Sequence, residues 1–128
     1  MTQTNLNNEE IKVGTGLDSV VITNFIEGIP GGRSLNVSGF TPEVIKAGHV
    51  VIKDNNDDYK PMPITSDGTA YATLPANHTI VGVVSSSRLT SKAMCPIMVR
   101  GTVNTEASPY PVTPAIKTAL PLIRFTKD

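Results

Sequence analysis

The chain contains no tryptophan and a single cysteine in 128 residues. One thiol cannot form an intrachain disulfide, so the fold must rest on burial and hydrogen bonding. Cys95 lies in the apolar run AMCPIMV, where a free cysteine is expected as a small core residue. Three tyrosines and three phenylalanines, with no basic run among them, make neither a stacking platform nor a charged groove for nucleic acid. Charged residues are only 17%, and eleven basic side chains balance eleven acidic ones. That balance supplies no field to draw a phosphate backbone or an anionic membrane, so neither is expected as a partner. No apolar run approaches the ~20 residues of a membrane span. The opening MTQTNLNNEE has neither the basic start nor the apolar stretch of a secretion signal. A soluble, uncleaved protein is expected.

Glycine and proline, by contrast, are plentiful, with ten of each. They divide the chain into short pieces rich in β-branched residues: SVVITNF (Ser19 to Phe25), HVVIK (His49 to Lys53), TIVGVV (Thr79 to Val84), PIMVRGTV (Pro96 to Val103) and PLIRF (Pro121 to Phe125). β-branched side chains favour the pleated surface, where their restricted χ1 costs little. IPGGRS, DNNDD and TSDGT read as turns. Two segments carry helix punctuation. Thr41 and Pro42 open one that Gly48 would stop, and Thr113 and Pro114 open another that ends at Pro121. Each is too short to persist without packing. Residues 1–12, rich in Asn and Thr, have little to bury and read as an arm. The expected fold is mostly β, a small β-barrel or sandwich with one or two short helices and an extended N-terminal arm. The arm is assigned to residues 1–18 and the β-rich domain to 19–128.

The chemistry-bearing residues are few. His49 and His78 each follow a turn and open a strand. Alternation places His49, Val51 and Lys53 on one face of a strand and Val50 and Ile52 on the other, which needs only a polar outer face. A metal or catalytic site would require the two histidines to converge with a carboxylate, and no HExxH, CxxC or His-x-His spacing is present. In DNNDDYKP, Asp54, Asn56 and Asp58 alternate as in calcium loops. The glycine and glutamate that such a loop requires are replaced by Tyr59 and Thr65, so a solvated hairpin loop is expected. GIPGGRS matches neither phosphate-binding pattern, and its adjacent glycines serve a turn with positive φ. VSSSRLTS lacks GxSxG and SxxK. Asn36 and Asn77 fit the glycosylation sequon, which carries little weight without a secretion signal. No catalytic, cofactor-binding or metal residue is therefore assigned, and no cofactor is expected.

An ordered set of short motifs carries more information: VIKAGHVVIK, YKPMPI, ANHTIVGVV, PIMVRGTVN, ASPYPVT and AIKTALPLIRF. In this order, over residues 25–126, they resemble the head decoration and head fibre proteins of tailed bacteriophages. The resemblance implies a non-enzymatic virion protein on the outer surface of a capsid. It would be bound to the major capsid protein, stabilise the shell, form a homotrimer and attach partly through its N-terminal arm. Head fibre proteins usually continue into a shaft, whereas this sequence has three residues after Phe125. The resemblance therefore implies a base or a plain decoration protein. A host-surface ligand is left open.

Two rival readings are distinguishable. A tail, baseplate or adhesin-type module that binds a cell-surface glycan would need exposed aromatics, for which Tyr59, Tyr71 and Tyr110 are the candidates. A small hydrolase would use His49 or His78 with Asp54, Asp57 or Asp58.

Overall fold

The computed structural model describes residues 18–127. The expected arm, residues 1–18, lies outside the described residues except for Asp18. The chain runs α1 (Asp18–Val21), β1 (Ile22–Gly28), β2 (Arg33–Ser34), β3 (Val44–Ile45), β4 (Val50–Asp54), β5 (Tyr59–Pro61), β6 (His78–Val84), β7 (Arg88–Leu89), β8 (Met94–Cys95), β9 (Ile97–Asn104), α2 (Pro114–Ala119) and β10 (Ile123–Thr126), with one 3-10 turn at Thr90–Lys92. The main sheet has the order β1-β9-β6-β4-β5, and β10 joins it along β9. The fold is mostly β with two short helices, as expected. Its sheets are open, consistent with a small sandwich.

Strand alternation sorts the apolar residues of the main sheet onto two buried faces. Val50, Ile52, Val83 and Met98 point to one core, which the segment around Met62 to Tyr71 and Ile116 of α2 cover. Val51, Val84 and Ile97 point to the other, covered by Leu35, Ile45 and Cys95. The two-stranded ladders β2–β8 and β3–β7 close over that second face. The polar outer face expected for HVVIK is thus corrected. Val51 is fully buried and His49 is 1% exposed, because the sheet is covered on both sides.

Two expectations for local structure also change. Thr41 to Gly48 is not helical. Val44 and Ile45 pair with Leu89 and Arg88, while Thr90 N–H donates to Glu43 O at 2.9 Å and Thr90 Oγ1 to Pro42 O at 2.6 Å. A segment this short is helical only where packing holds it so, and here strand pairing captures its β-branched pair instead. Ser19 to Val21 belong to α1 rather than to a strand. The Asp18 carboxylate accepts from Ser87 N at 2.8 Å and Ser87 Oγ at 2.7 Å, and Ser87 Oγ in turn accepts from Ala47 N at 3.0 Å. This relay fixes α1 against the core and places Val21 beneath Gly48.

The second helix forms as expected. Thr113 Oγ1 accepts from Ile116 N at 3.3 Å, Pro114 occupies the first turn, and Ile116 anchors the helix in the core. Gly48 closes a turn rather than a helix. Its φ of 91° and the 2.6 Å approach of Val21 Cγ1 to any added Cβ both require glycine. Gly31 and Gly32 have the positive φ values of 77° and 69° expected for their turn.

β9 organises both ends of the described domain. Ile22 of β1 pairs antiparallel with Val103, and Phe125 of β10 pairs with the same residue in parallel.

Because Val51 and Val83 are fully buried on opposite faces, Val51→Asp and Val83→Asp should each abolish folding. An unpaired buried charge costs several kcal/mol against a total stability of about 5–15 kcal/mol. Far-UV circular dichroism and a thermal melt check this, and a cooperative melt for either variant contradicts the assigned burial. Ser87→Ala should cost about 1–3 kcal/mol, because it leaves the Ala47 amide without its acceptor. Urea denaturation reads that loss.

Candidate functional site

The two histidines lie at opposite ends of the β4–β6 ladder. His49 immediately precedes Val50, which pairs with Val83, whereas His78 pairs with Asp54 at the other end. That separation is roughly 15 Å of strand. They do not converge.

His49 is a core residue. Its ring is enclosed edge-on by Phe40, Tyr71 and Tyr110, with centroids at 5.3, 5.3 and 5.5 Å. Met62 O can only accept, so Nε2 carries the proton and donates to it at 2.9 Å. Burial pushes the imidazole down to about 4, partly offset by that hydrogen bond. Tyr71 completes the arrangement. Its hydroxyl accepts from Val50 N at 3.1 Å and donates to Gly48 O at 3.4 Å. Burial raises the Tyr71 phenol well above its ordinary range. Two of the three tyrosines considered for sugar stacking therefore point inward, and Tyr71 and Tyr110 pack at 5.1 Å. Tyr59 is half-buried beneath Arg33 and Lys53, 5.5 and 6.0 Å from its ring centroid.

DNNDD forms the β4–β5 hairpin loop. Asp54 Oδ1 accepts from Asn56 N at 2.8 Å and Asp58 N at 3.0 Å, and these backbone amides hold its carboxyl below the usual range. Asp57, at a φ of 61°, pairs with Lys53 at 2.9 Å, and Asp58 Oδ2 accepts from Asn36 Nδ2 at 3.0 Å. The carboxylates are thus spent on the loop's own geometry. Among the described residues no group of three or more His, Cys, Asp or Glu side chains could hold a metal. Cys95 is fully buried, and burial pushes its thiol up to about 11. The thiol therefore stays protonated and acts as a packing residue, as expected.

The second histidine belongs to a polar cluster at the hairpin end of the sheet. Lys60 lies opposite Ile52 on one side of β4, and His78 lies opposite Asp54 on the other. Ala76 O accepts from His78 Nδ1 at 2.8 Å, which fixes the tautomer. His78 Nε2 is then a lone pair and accepts from Lys60 Nζ at 3.1 Å. A general base would need that lone pair free. Both residues line a cleft of about 500 Å³ between the hairpin, the Asn36 to Thr41 loop and the Pro63 to Ser66 segment.

The second notable surface is β1. It is an edge strand, and Phe25 and Ile26 are 52% and 55% exposed. Its register with β9 is interrupted between Ile22 and Asn24 and again between Phe25 and Glu27. Thr23 and Ile26 therefore bulge out of the ladder, which blunts the edge as a template for a continuous added strand. Neither Lys60 nor the exposure of this edge was legible from local spacing, because both depend on pairings between segments far apart in sequence.

The burial of neutral His49 has a signed consequence for stability. Its folded value, about 4, lies below the ordinary 6.5, so the unfolded chain takes up the proton first as pH falls. The contribution is complete above about pH 6.5 and is lost between there and pH 4, on the order of 3 kcal/mol in all. His49→Gln keeps a donor for Met62 O and removes the titration. It should flatten this slope in urea unfolding measured from pH 7.5 to 4.5. Identical slopes for the two proteins would contradict the assignment.

Comparison with protein-family models, with curated proteins and with solved structures finds no match.

Proposed function

We propose that this chain is a non-enzymatic capsid decoration protein, or a head fibre base, that binds the outside of a major capsid protein shell and reinforces it as a homotrimer on the virion surface. The observation that carries this reading is the exposed apolar stretch around β1. Val20, Phe25 and Ile26 are 45%, 52% and 55% exposed within one short segment. Apolar side chains clustered along a sheet edge are a liability in an isolated molecule and useful in an assembly that covers them. The bulges at Thr23 and Ile26 disfavour indiscriminate strand addition while leaving the side chains available for a shaped partner. The ordered motif set and the low charge of the chain favour the same reading. A capsid lattice multiplies such contacts by symmetry, so individually modest interfaces reinforce a shell.

Purified protein should co-sediment with bare capsids built from the major capsid protein. Ile26→Asp should keep the melting temperature, since exposed substitutions usually change stability by no more than about 0.5 kcal/mol, and should lose most of the pelleted fraction. Removal of residues 1–12 should likewise preserve the melt and reduce attachment. No co-sedimentation of the full chain refutes the proposal. Unfolding on removal of residues 1–12 would instead show that the domain begins earlier than residue 19.

A further inference from the structure

The cleft beside the hairpin combines three properties that no structural role accounts for together. The first is an ammonium that makes no direct ion pair. Among the described residues the ion pairs are Lys53–Asp57 and Arg100–Glu27, and Lys60 is in neither. It spends one N–H on His78 Nε2 and keeps two donors. The second is a set of hydroxyls. Ser38, Thr41 and Ser66 line the same cleft, and none is hydrogen-bonded through its side chain to another described residue. The third is a run of apolar contact surface, from Phe40, Ile64 and the ring of Pro63, against which the C–H face of a sugar can lie. A volume of about 500 Å³ holds one or two pyranose rings.

We propose that this cleft binds an acidic sugar, a pyranose that carries a carboxylate, with Lys60 as the cation that receives the acid and Ser38, Thr41 and Ser66 as hydrogen-bonding partners of the ring hydroxyls. Lys60 is preorganised for this role. Because His78 Nδ1 is committed to Ala76 O, its Nε2 holds the lysine side chain in place without neutralising it. Asp54, opposite His78, acts electrostatically on both groups. It makes no direct ion pair with the ammonium, and its Oδ1 accepts from the Asn56 and Asp58 amides. The site makes no use of the tyrosines considered for sugar stacking. It is also independent of capsid attachment, and either proposal can fail alone.

Amide chemical-shift titration of the full chain tests it, with methyl β-D-glucuronide, methyl β-D-glucoside and glucose 6-phosphate as probes. The glucuronide should give saturable shifts confined to residues around the cleft, with a dissociation constant of about 1 mM or below. The neutral glucoside should bind about tenfold more weakly or worse, the effect of losing one charge-assisted hydrogen bond. Lys60→Gln retains a donor for His78 Nε2 and removes the charge, and should reduce glucuronide affinity by a similar factor. Ser38→Ala, in an exposed loop, should weaken binding of both glycosides by a few-fold. Three results overturn the proposal: no saturable shift at about 20 mM glucuronide, equal response to glucuronide and glucoside, or binding of glucose 6-phosphate alone, which would make the cleft a phosphate site.

Discussion

The start of β4 depends on two buried polar side chains that satisfy backbone groups no strand can reach. His49 donates to Met62 O, while Tyr71 accepts from Val50 N and donates to Gly48 O. Each unsatisfied group there would cost about 1–3 kcal/mol. Because β4 lies between β5 and β6 and contributes to both cores, an error at its first residue would propagate to both faces of the sheet. The aromatic rings around His49 also exclude water, and that exclusion keeps the imidazole neutral. The residue that looks most like chemistry in the sequence is therefore a structural fastener.

The longer strands were legible because their signal is local. His49 to Lys53, Thr79 to Val84 and Pro96 to Val103 are β-branched runs bounded by glycine, proline and turn residues, and the observed strands overlap them closely. The Thr113-Pro114 helix was legible for the same reason, since cap and first turn are encoded within four residues. The segment after Thr41 carries the same punctuation but becomes a strand, because Leu89 and Thr90 compete for its backbone across more than forty residues. The buried state of His49 was illegible in principle. Alternation gives relative faces, whereas the second layer over Val51 is supplied by Leu35, Ile45 and Cys95, whose proximity is a tertiary fact. The Lys60–His78 contact was hidden for the same reason.

The proposed roles place different demands on the surface. Attachment asks for apolar side chains that leave water on assembly, which β1 offers through Phe25 and Ile26. Sugar recognition asks for a rigid concavity with few but well-placed polar groups, and the hairpin end of the sheet offers that through Lys60 and the surrounding hydroxyls. The two surfaces share no residue, so a molecule fixed to a support by its β1 side keeps the cleft available for other contacts.

The shared partner of β1 and β10 has a geometric consequence. Ile22 and Phe125 both lie beside Val103, on opposite sides of it, so β1 begins and β10 ends at one end of β9. The two points are about two strand spacings apart, roughly 10 Å. A peptide of a few residues would bridge that gap, and new termini opened in the Asp54 to Asp58 loop would leave every ladder of the main sheet intact. The strand order of the main sheet is therefore compatible with circular permutation.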